Sequence, residues 1–159
     1  MPNKKHSLII ILGAVLLIGI LAFLWFSPVS LNQLIGAGSE RHYKLAGVAT
    51  LSFAQTADKR WESSTHNVDM AKVGDDTKTA IADIVGKARY TKRINTAALS
   101  GVQHILFLHD AASDEPGMSL QLGENGNVSI DVFGTNKTAF AVMDKRSLDS
   151  LNSFFAQLP

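Results

Sequence analysis

Five histidines are the side chains of this 159-residue sequence best suited to hold a metal ion or to transfer protons. His104 and His109 lie five residues apart on one predicted strand. Because side chains alternate between the two faces of a strand, an odd separation places this pair on opposite faces, where they cannot share a metal ion. The sequence also contains no cysteine and no His-Glu-x-x-His or His-x-His pair. We therefore expect no metal site and no cofactor.

A serine hydrolase needs its nucleophile on a tight, exposed turn. The stretch Gly117–Gln121 begins like the Gly-x-Ser-x-Gly motif, but Gln121 stands where the second glycine belongs. Ser119 alternates with apolar neighbours, which predicts the polar face of a strand, so we assign no catalytic residue. Catalytic groups need only meet in space, however, and an envelope hydrolase assembled from scattered residues is an open alternative. Its first candidates are His66, Asp69, His104 and Ser119.

One local cluster of basic residues could contact an anionic partner, and it comprises Lys87, Arg89, Lys92 and Arg93. Lipid headgroups, cell-wall polymers and an acidic envelope protein are the partner classes that fit its charge. The alternative is a solvated helix end followed by an edge strand, where basic side chains prevent edge-to-edge aggregation. Without Lys4 and Lys5, the 15 basic residues fall to 13 against 14 acidic ones, which argues against a nucleic-acid binder.

The segment Leu8–Phe26 has the length and composition of a membrane-spanning helix. It contains no charged side chain, and as a helix it would be about 28 Å long, close to the hydrocarbon thickness of a bilayer. The apolar part of a cleaved signal peptide is shorter and is followed by an Ala-x-Ala-like site, which is missing here. We therefore predict an uncleaved signal anchor, with a cleaved signal as the alternative.

Charge on either side of this segment predicts its orientation. Lys4 and Lys5 precede it, and no basic residue follows before Arg41. The positive-inside rule then makes residues 1–7 a cytoplasmic tail and places residues 27–159 outside the membrane. The small residues of the segment are never four apart, so it lacks a packing face of the Gly-x-x-x-Gly type. That makes an accessory subunit of a larger membrane complex a less favoured alternative.

Residues 27–42 read as a linker between this segment and a domain formed by residues 43–159. Pro28 and the nearby glycines favour a flexible tether. The spacing of Leu31, Leu34 and Ile35 also allows one helical turn on the membrane surface.

Periodicity in residues 43–159 predicts an α+β domain. A helix over about 76–88 is expected, capped by Asp75–Thr77, and a second one after Asp144 or Ser147, with an apolar stripe ending at Leu158. The predicted extended segments are Val48–Phe53, Trp61–Val68, a polar edge segment Arg89–Ile94, Val102–His109 with both faces covered, Met118–Leu122, Val128–Val132 and Thr138–Val142. Together they predict an antiparallel meander packed with two helices.

The order of these elements resembles that of small, membrane-anchored extracytoplasmic domains of unknown function from Gram-positive bacteria. The similar stretch runs from Val48 to Leu158 and includes the hairpin, the capped helix, the basic stretch Lys87–Lys92 and the closing helix. The resemblance implies an α+β domain at the outer surface and supplies no catalytic residue. We therefore expect a non-catalytic, single-pass membrane protein whose outer domain binds or senses an envelope protein or an anionic cell-surface polymer.

Overall fold

The computed structural model describes residues 4–37, 41–56, 58–94, 102–112 and 116–159. The start of the predicted tail (residues 1–3) and part of the predicted linker (residues 38–40) lie outside these ranges. The helices are α1 (Lys4–Phe26), α2 (Leu31–Ile35), α3 (Asp75–Lys87) and α4 (Lys145–Phe155). The strands are β1 (Tyr43–Gln55), β2 (Trp61–Asn67), β3 (Tyr90–Lys92), β4 (Gln103–Asp110), β5 (Pro116–Gly123), β6 (Asn127–Val132) and β7 (Lys137–Met143).

The seven strands form one antiparallel sheet in the order β2-β1-β4-β5-β6-β7-β3. Strands β4 to β7 are a meander, which confirms the predicted α+β class. Its central turn depends on Gly126, whose φ of 79° lies in the left-handed region that glycine adopts without strain. The chain crosses from one edge of the sheet to the other between β2 and β3, and α3 forms most of that connection.

One face of the sheet supplies the core. Val48, Leu106, Leu120 and Ile130 lie opposite one another on four neighbouring strands, and all four are buried. The other face is only partly covered, since Phe107 keeps 38% of its surface exposed. The prediction that both faces of β4 are covered is therefore wrong at Phe107, because the helices pack against the opposite face of the sheet.

Helix α3 begins one residue earlier than predicted, and its start differs from the expected cap. Gly74 is the N-cap residue and makes no side-chain capping bond. Asp75 and Asp76 lie in the first turn instead, where their charge favours the positive end of the helix dipole. The apolar stripe packs as predicted, with Ile81 and Val85 fully buried.

Helix α4 begins after Asp144, which was one of the two predicted caps. The Asp144 carboxylate accepts a hydrogen bond from the Ser147 N–H at 3.0 Å. Leu148, Leu151 and Phe155 are the buried residues of this helix. Helix α3 packs against β1 and against α4, and α4 reaches the sheet where Phe155 stacks on His104. The junction of the two helices lines the groove described below.

Residues 28–36 pack as part of the domain, so the expectation of a flexible tether is wrong for this stretch. Ser30 and Gln33 form a capping box that starts α2. Leu31 is fully buried in the main core, and Val29 pairs with Tyr90 as an isolated bridge. The spacing of the apolar residues predicted the single helical turn as an alternative, lying on the membrane surface. In the structure these residues face the core of the domain.

Helix α1 contrasts with the domain because its apolar side chains are not buried. Its large apolar side chains between Ile9 and Phe26 are between 49% and 74% exposed. This helix is long and apolar enough to span a membrane.

Candidate functional site

Two of the four basic residues predicted to contact an anionic partner, Arg89 and Lys92, lie where α1 ends. The Lys92 ammonium is 5.6 Å from the centre of the Trp25 ring. The Arg89 guanidinium donates a hydrogen bond to the Pro28 carbonyl at 3.0 Å. Strand β3, which contains Lys92 and directly follows Arg89, is therefore held beside the last turn of the apolar helix.

Tyr90 keeps β3 in this place. Its ring is fully buried, and its hydroxyl donates a hydrogen bond to the Val85 carbonyl at 2.7 Å. That carbonyl lies in the last turn of α3, and the Arg89 N–H would be its partner if the helix continued. The Arg89 N–H donates to the Asp144 carboxylate instead. The tyrosine thus satisfies a helix-end carbonyl, and burial raises the pKa of its phenol far above the ordinary range.

The four predicted contact residues form two pairs on different surfaces. Lys87 and Arg89 line a groove between α3 and α4. Lys92 and Arg93 line a separate, shallower depression together with Phe26 and Ile94. The four cations therefore line two different depressions, and the buried Tyr90 lies between the two pairs in sequence.

The first surface, which we call the α3–α4 groove, has a volume of about 700 Å³. Apolar side chains of Ala80, Ile84 and Phe154 line it together with polar and charged ones, which are Asp83, Lys87, Arg89, Asp144, Arg146, Ser147 and Ser150. Such a groove fits a ligand that combines an apolar part with a charged group.

Charge in the α3–α4 groove is partly neutralised from within. Lys87 forms an ion pair with Asp83, with 2.6 Å between its ammonium and the carboxylate. Asp144 accepts hydrogen bonds from the backbone N–H groups of Arg89 and Ser147. Burial alone would raise the pKa of Asp144, but these hydrogen bonds outweigh it and hold that pKa below its usual value.

The remaining cations of the two surfaces have no acidic partner in the part of the chain that the structure describes. Among the residues that the structure describes, no carboxylate lies within ion-pair distance of Arg89, Lys92, Arg93 or Arg146. Arg146 was not among the predicted contact residues. Its position two residues after the predicted cap Asp144 was a usable signal, but only the packing of α4 against α3 brings it into the same groove as Lys87.

The residues suspected of forming a hydrolase site lie apart. His104 is half-buried on the core face, stacked on Phe155 with ring centres 4.0 Å apart and within 3.2 Å of the Thr50 hydroxyl. Burial holds the pKa of His104 below 6.5. Ser119 pairs with Phe107 and lies on the opposite face of the sheet, so it cannot approach His104.

The other two suspects do not complete a catalytic arrangement either. His66 lies on the same face as His104, but β1 runs between their strands and both residues pair with Thr50. Asp69 forms an exposed ion pair with Lys72 at 3.2 Å. His109 lies on the other face of β4 from His104. Within the described part of the chain, no group of three or more potential ligands could hold a metal ion.

Comparisons with protein-family models, with curated proteins and with solved structures find no match for this chain.

Proposed function

We propose that this chain is a single-pass membrane protein that displays a non-catalytic binding or sensing domain outside the membrane. The observation that carries the proposal is the exposure of the apolar side chains along α1. Leaving a large apolar side chain in water costs about 1.5–3 kcal/mol, so the exposed set costs tens of kcal/mol. A whole domain is stable by only about 5–15 kcal/mol. A bilayer removes this cost, and its thickness matches the span Ile9–Phe26.

Charge supports the orientation of this helix. Lys4 and Lys5 lie at its amino-terminal end, and cytoplasmic flanks are the ones enriched in lysine and arginine. Trp25 and Phe26 at the other end suit the aromatic layer at a membrane interface. The amino terminus would then lie in the cytoplasm and the sheet domain outside.

The α3–α4 groove supports a binding role. It offers the guanidinium groups of Arg89 and Arg146, which have no carboxylate at ion-pair distance within the described residues, beside apolar side chains. This combination fits an acidic group on an envelope protein or an anionic cell-surface polymer. Tethering to the membrane raises the effective concentration of a partner in the same membrane, so a modest affinity is sufficient. The separation of Ser119 from His104 favours this role over the hydrolase alternative.

Topology can be tested with introduced cysteines, because the sequence has none of its own. A membrane-impermeant maleimide added to intact bacterial cells should label Ser63→Cys in the domain. It should label Asn3→Cys in the tail only after lysis. The mass of the recovered protein should include residues 1–26. Labelling of Asn3→Cys alone, or a mature protein that begins after Phe26, would overturn the proposal.

The binding role can be tested with polyglutamate as an acidic probe on the full chain in nanodiscs. Reversing Lys87 and Arg146 to glutamate should weaken binding by several-fold, because each exposed ion pair contributes up to about fivefold. A matched control reverses Lys44 and Lys137, which are exposed and do not line this groove. Equal loss in both double variants would show only a general charge effect and would contradict a role for the α3–α4 groove.

A further inference from the structure

We propose that Lys92 and Arg93 bind anionic phospholipid headgroups of the leaflet in which α1 ends, with Ile94 in contact with the lipid beneath them. This inference rests on the proposed function, since it requires α1 to lie in a bilayer. It concerns the second, shallower surface, which we call the membrane-proximal depression and which is lined by Phe26, Lys92, Arg93 and Ile94.

The depth of this surface follows from its contacts with α1. The 18 residues Ile9–Phe26 span about 27 Å as a helix, so Phe26 reaches the headgroup layer when the helix crosses a bilayer. The Lys92 ammonium is 5.6 Å from the ring centre of Trp25, which immediately precedes Phe26. Lys92 therefore lies at headgroup depth by direct contact and not through a mobile arm.

The side chains here combine charge with exposed apolar surface. Ile94 is 80% exposed and Phe26 is 53% exposed, although both are large and apolar. Within the described residues, neither Lys92 nor Arg93 has a carboxylate at ion-pair distance, and the depression they line has a volume of about 470 Å³. A soluble acidic peptide would satisfy the cations only, whereas a phospholipid satisfies both parts.

Phosphate chemistry suits the two cations. A guanidinium presents paired N–H donors to phosphate oxygens, and an ammonium adds a compact positive charge. The backbone N–H of Arg93 donates to the Phe140 carbonyl at 2.8 Å, so its position beside β7 is fixed. A basic residue near an anionic membrane surface strengthens association by about fivefold.

The test places a spin label at the proposed contact in the full chain. Ile94→Cys carries the label in nanodiscs of phosphatidylcholine alone or of phosphatidylcholine and phosphatidylglycerol in equal parts. Collisions with oxygen, which concentrates in lipid, are compared with those of a water-soluble nickel complex. Ser63→Cys is the control position, on β2 at the other edge of the sheet. We expect the label at position 94 to become more lipid-exposed in the phosphatidylglycerol discs and the label at position 63 to stay unchanged.

Charge variants identify the groups responsible. Lys92→Glu with Arg93→Glu should abolish the dependence on phosphatidylglycerol, whereas Lys44→Glu with Lys137→Glu should preserve it. Lys92→Arg with Arg93→Lys retains both charges and should also preserve it, which separates a charge effect from misfolding. Raising the salt concentration should reduce the lipid exposure of the label, because salt screens surface charge.

Three results would overturn this inference. The first is equal lipid exposure in the two kinds of disc, and the second is a dependence on phosphatidylglycerol that survives reversal of Lys92 and Arg93. The third is that soluble polyphosphate, added to phosphatidylcholine discs, shields the label from the nickel complex as well as phosphatidylglycerol does. That result would assign the depression to a soluble anionic polymer. Each result is compatible with the maleimide labelling expected for an anchored outer domain, so failure here is distinguishable from failure of the proposed function.

Discussion

Val29 and Tyr90 exchange two backbone hydrogen bonds, each N–H donating to the other carbonyl at 2.9 Å. This bridge lies three residues after the end of α1 and on the outer side of β3, which is an edge strand of the sheet. It therefore fixes the position of the end of the apolar helix relative to the domain. It also covers part of an edge that would otherwise offer unpaired backbone groups to another chain.

Removing the hydroxyl of Tyr90 should destabilise the domain. Tyr90→Phe leaves the buried Val85 carbonyl without its partner, which costs about 1–3 kcal/mol in the free energy of unfolding. Urea titration in nanodiscs measures the change. Tyr43→Phe is the matched control, because Tyr43 and its partner Asn32 are both only partly buried, so the loss of this hydroxyl leaves no fully buried group without a partner. Equal losses in the two variants would contradict this account of Tyr90.

Leu31→Ala should cost about 2–5 kcal/mol in the free energy of unfolding, because Leu31 is fully buried in the core. The same urea titration measures it. A flexible linker would tolerate the substitution, so an unchanged midpoint would restore the tether interpretation. Asn136→Ala in the exposed turn between β6 and β7 provides the control and should change little.

Asp144 should make stability depend on pH in the acidic range. Its pKa is lowered in the folded state, so the unfolded chain binds the proton more tightly. The stabilisation is complete above the unfolded pKa of about 3.9 and is lost as the pH falls through the folded pKa. Asp144→Asn should flatten this part of the stability curve. A curve with the same slope in the variant would exclude Asp144 as its source.

His104 should act in the same direction at milder pH. Burial lowers its folded pKa below 6.5, so protonation favours the unfolded chain. Stability should be full above pH 6.5 and should decrease as the pH falls from there towards the folded pKa. His104→Gln should reduce this dependence, whereas His66→Gln, at an exposed position, should leave it in place. Unfolding midpoints measured between about pH 5 and pH 7.5 decide the matter.

The strands and the helices α3 and α4 could be predicted from local patterns. Met118, Leu120 and Leu122 alternate with polar residues, and the structure buries all three on one face of β5. The apolar stripe of α4 likewise indicates which face of that helix packs against the core. Residue alternation cannot show whether a second layer covers the other face of a sheet, and Phe107 was therefore placed incorrectly.

The packing of residues 28–36 could not be predicted, because it depends on contacts with distant parts of the chain. Leu31 and its neighbours have the spacing of a helical turn, but nothing nearby in sequence shows that β3 and β7 receive it. The basic residues give a similar lesson. Lys87 and Lys92 are close in sequence, yet the chain leaves α3 at Ala88 and continues as β3, and the two lysines line different depressions. Arg146, from the far end of the chain, lines the same groove as Lys87.

The hydrogen bond between Arg89 and Pro28 joins positions 61 residues apart, and it has a consequence for biogenesis. On the topology proposed above, residues 28–36 leave the translocation channel before β3 and β7, against which they pack, have been synthesised. On that topology, this stretch completes its packing beside the lipid only near the end of translation. Nascent chains arrested before β7 should therefore present Leu31 to chaperones and proteases at the outer surface.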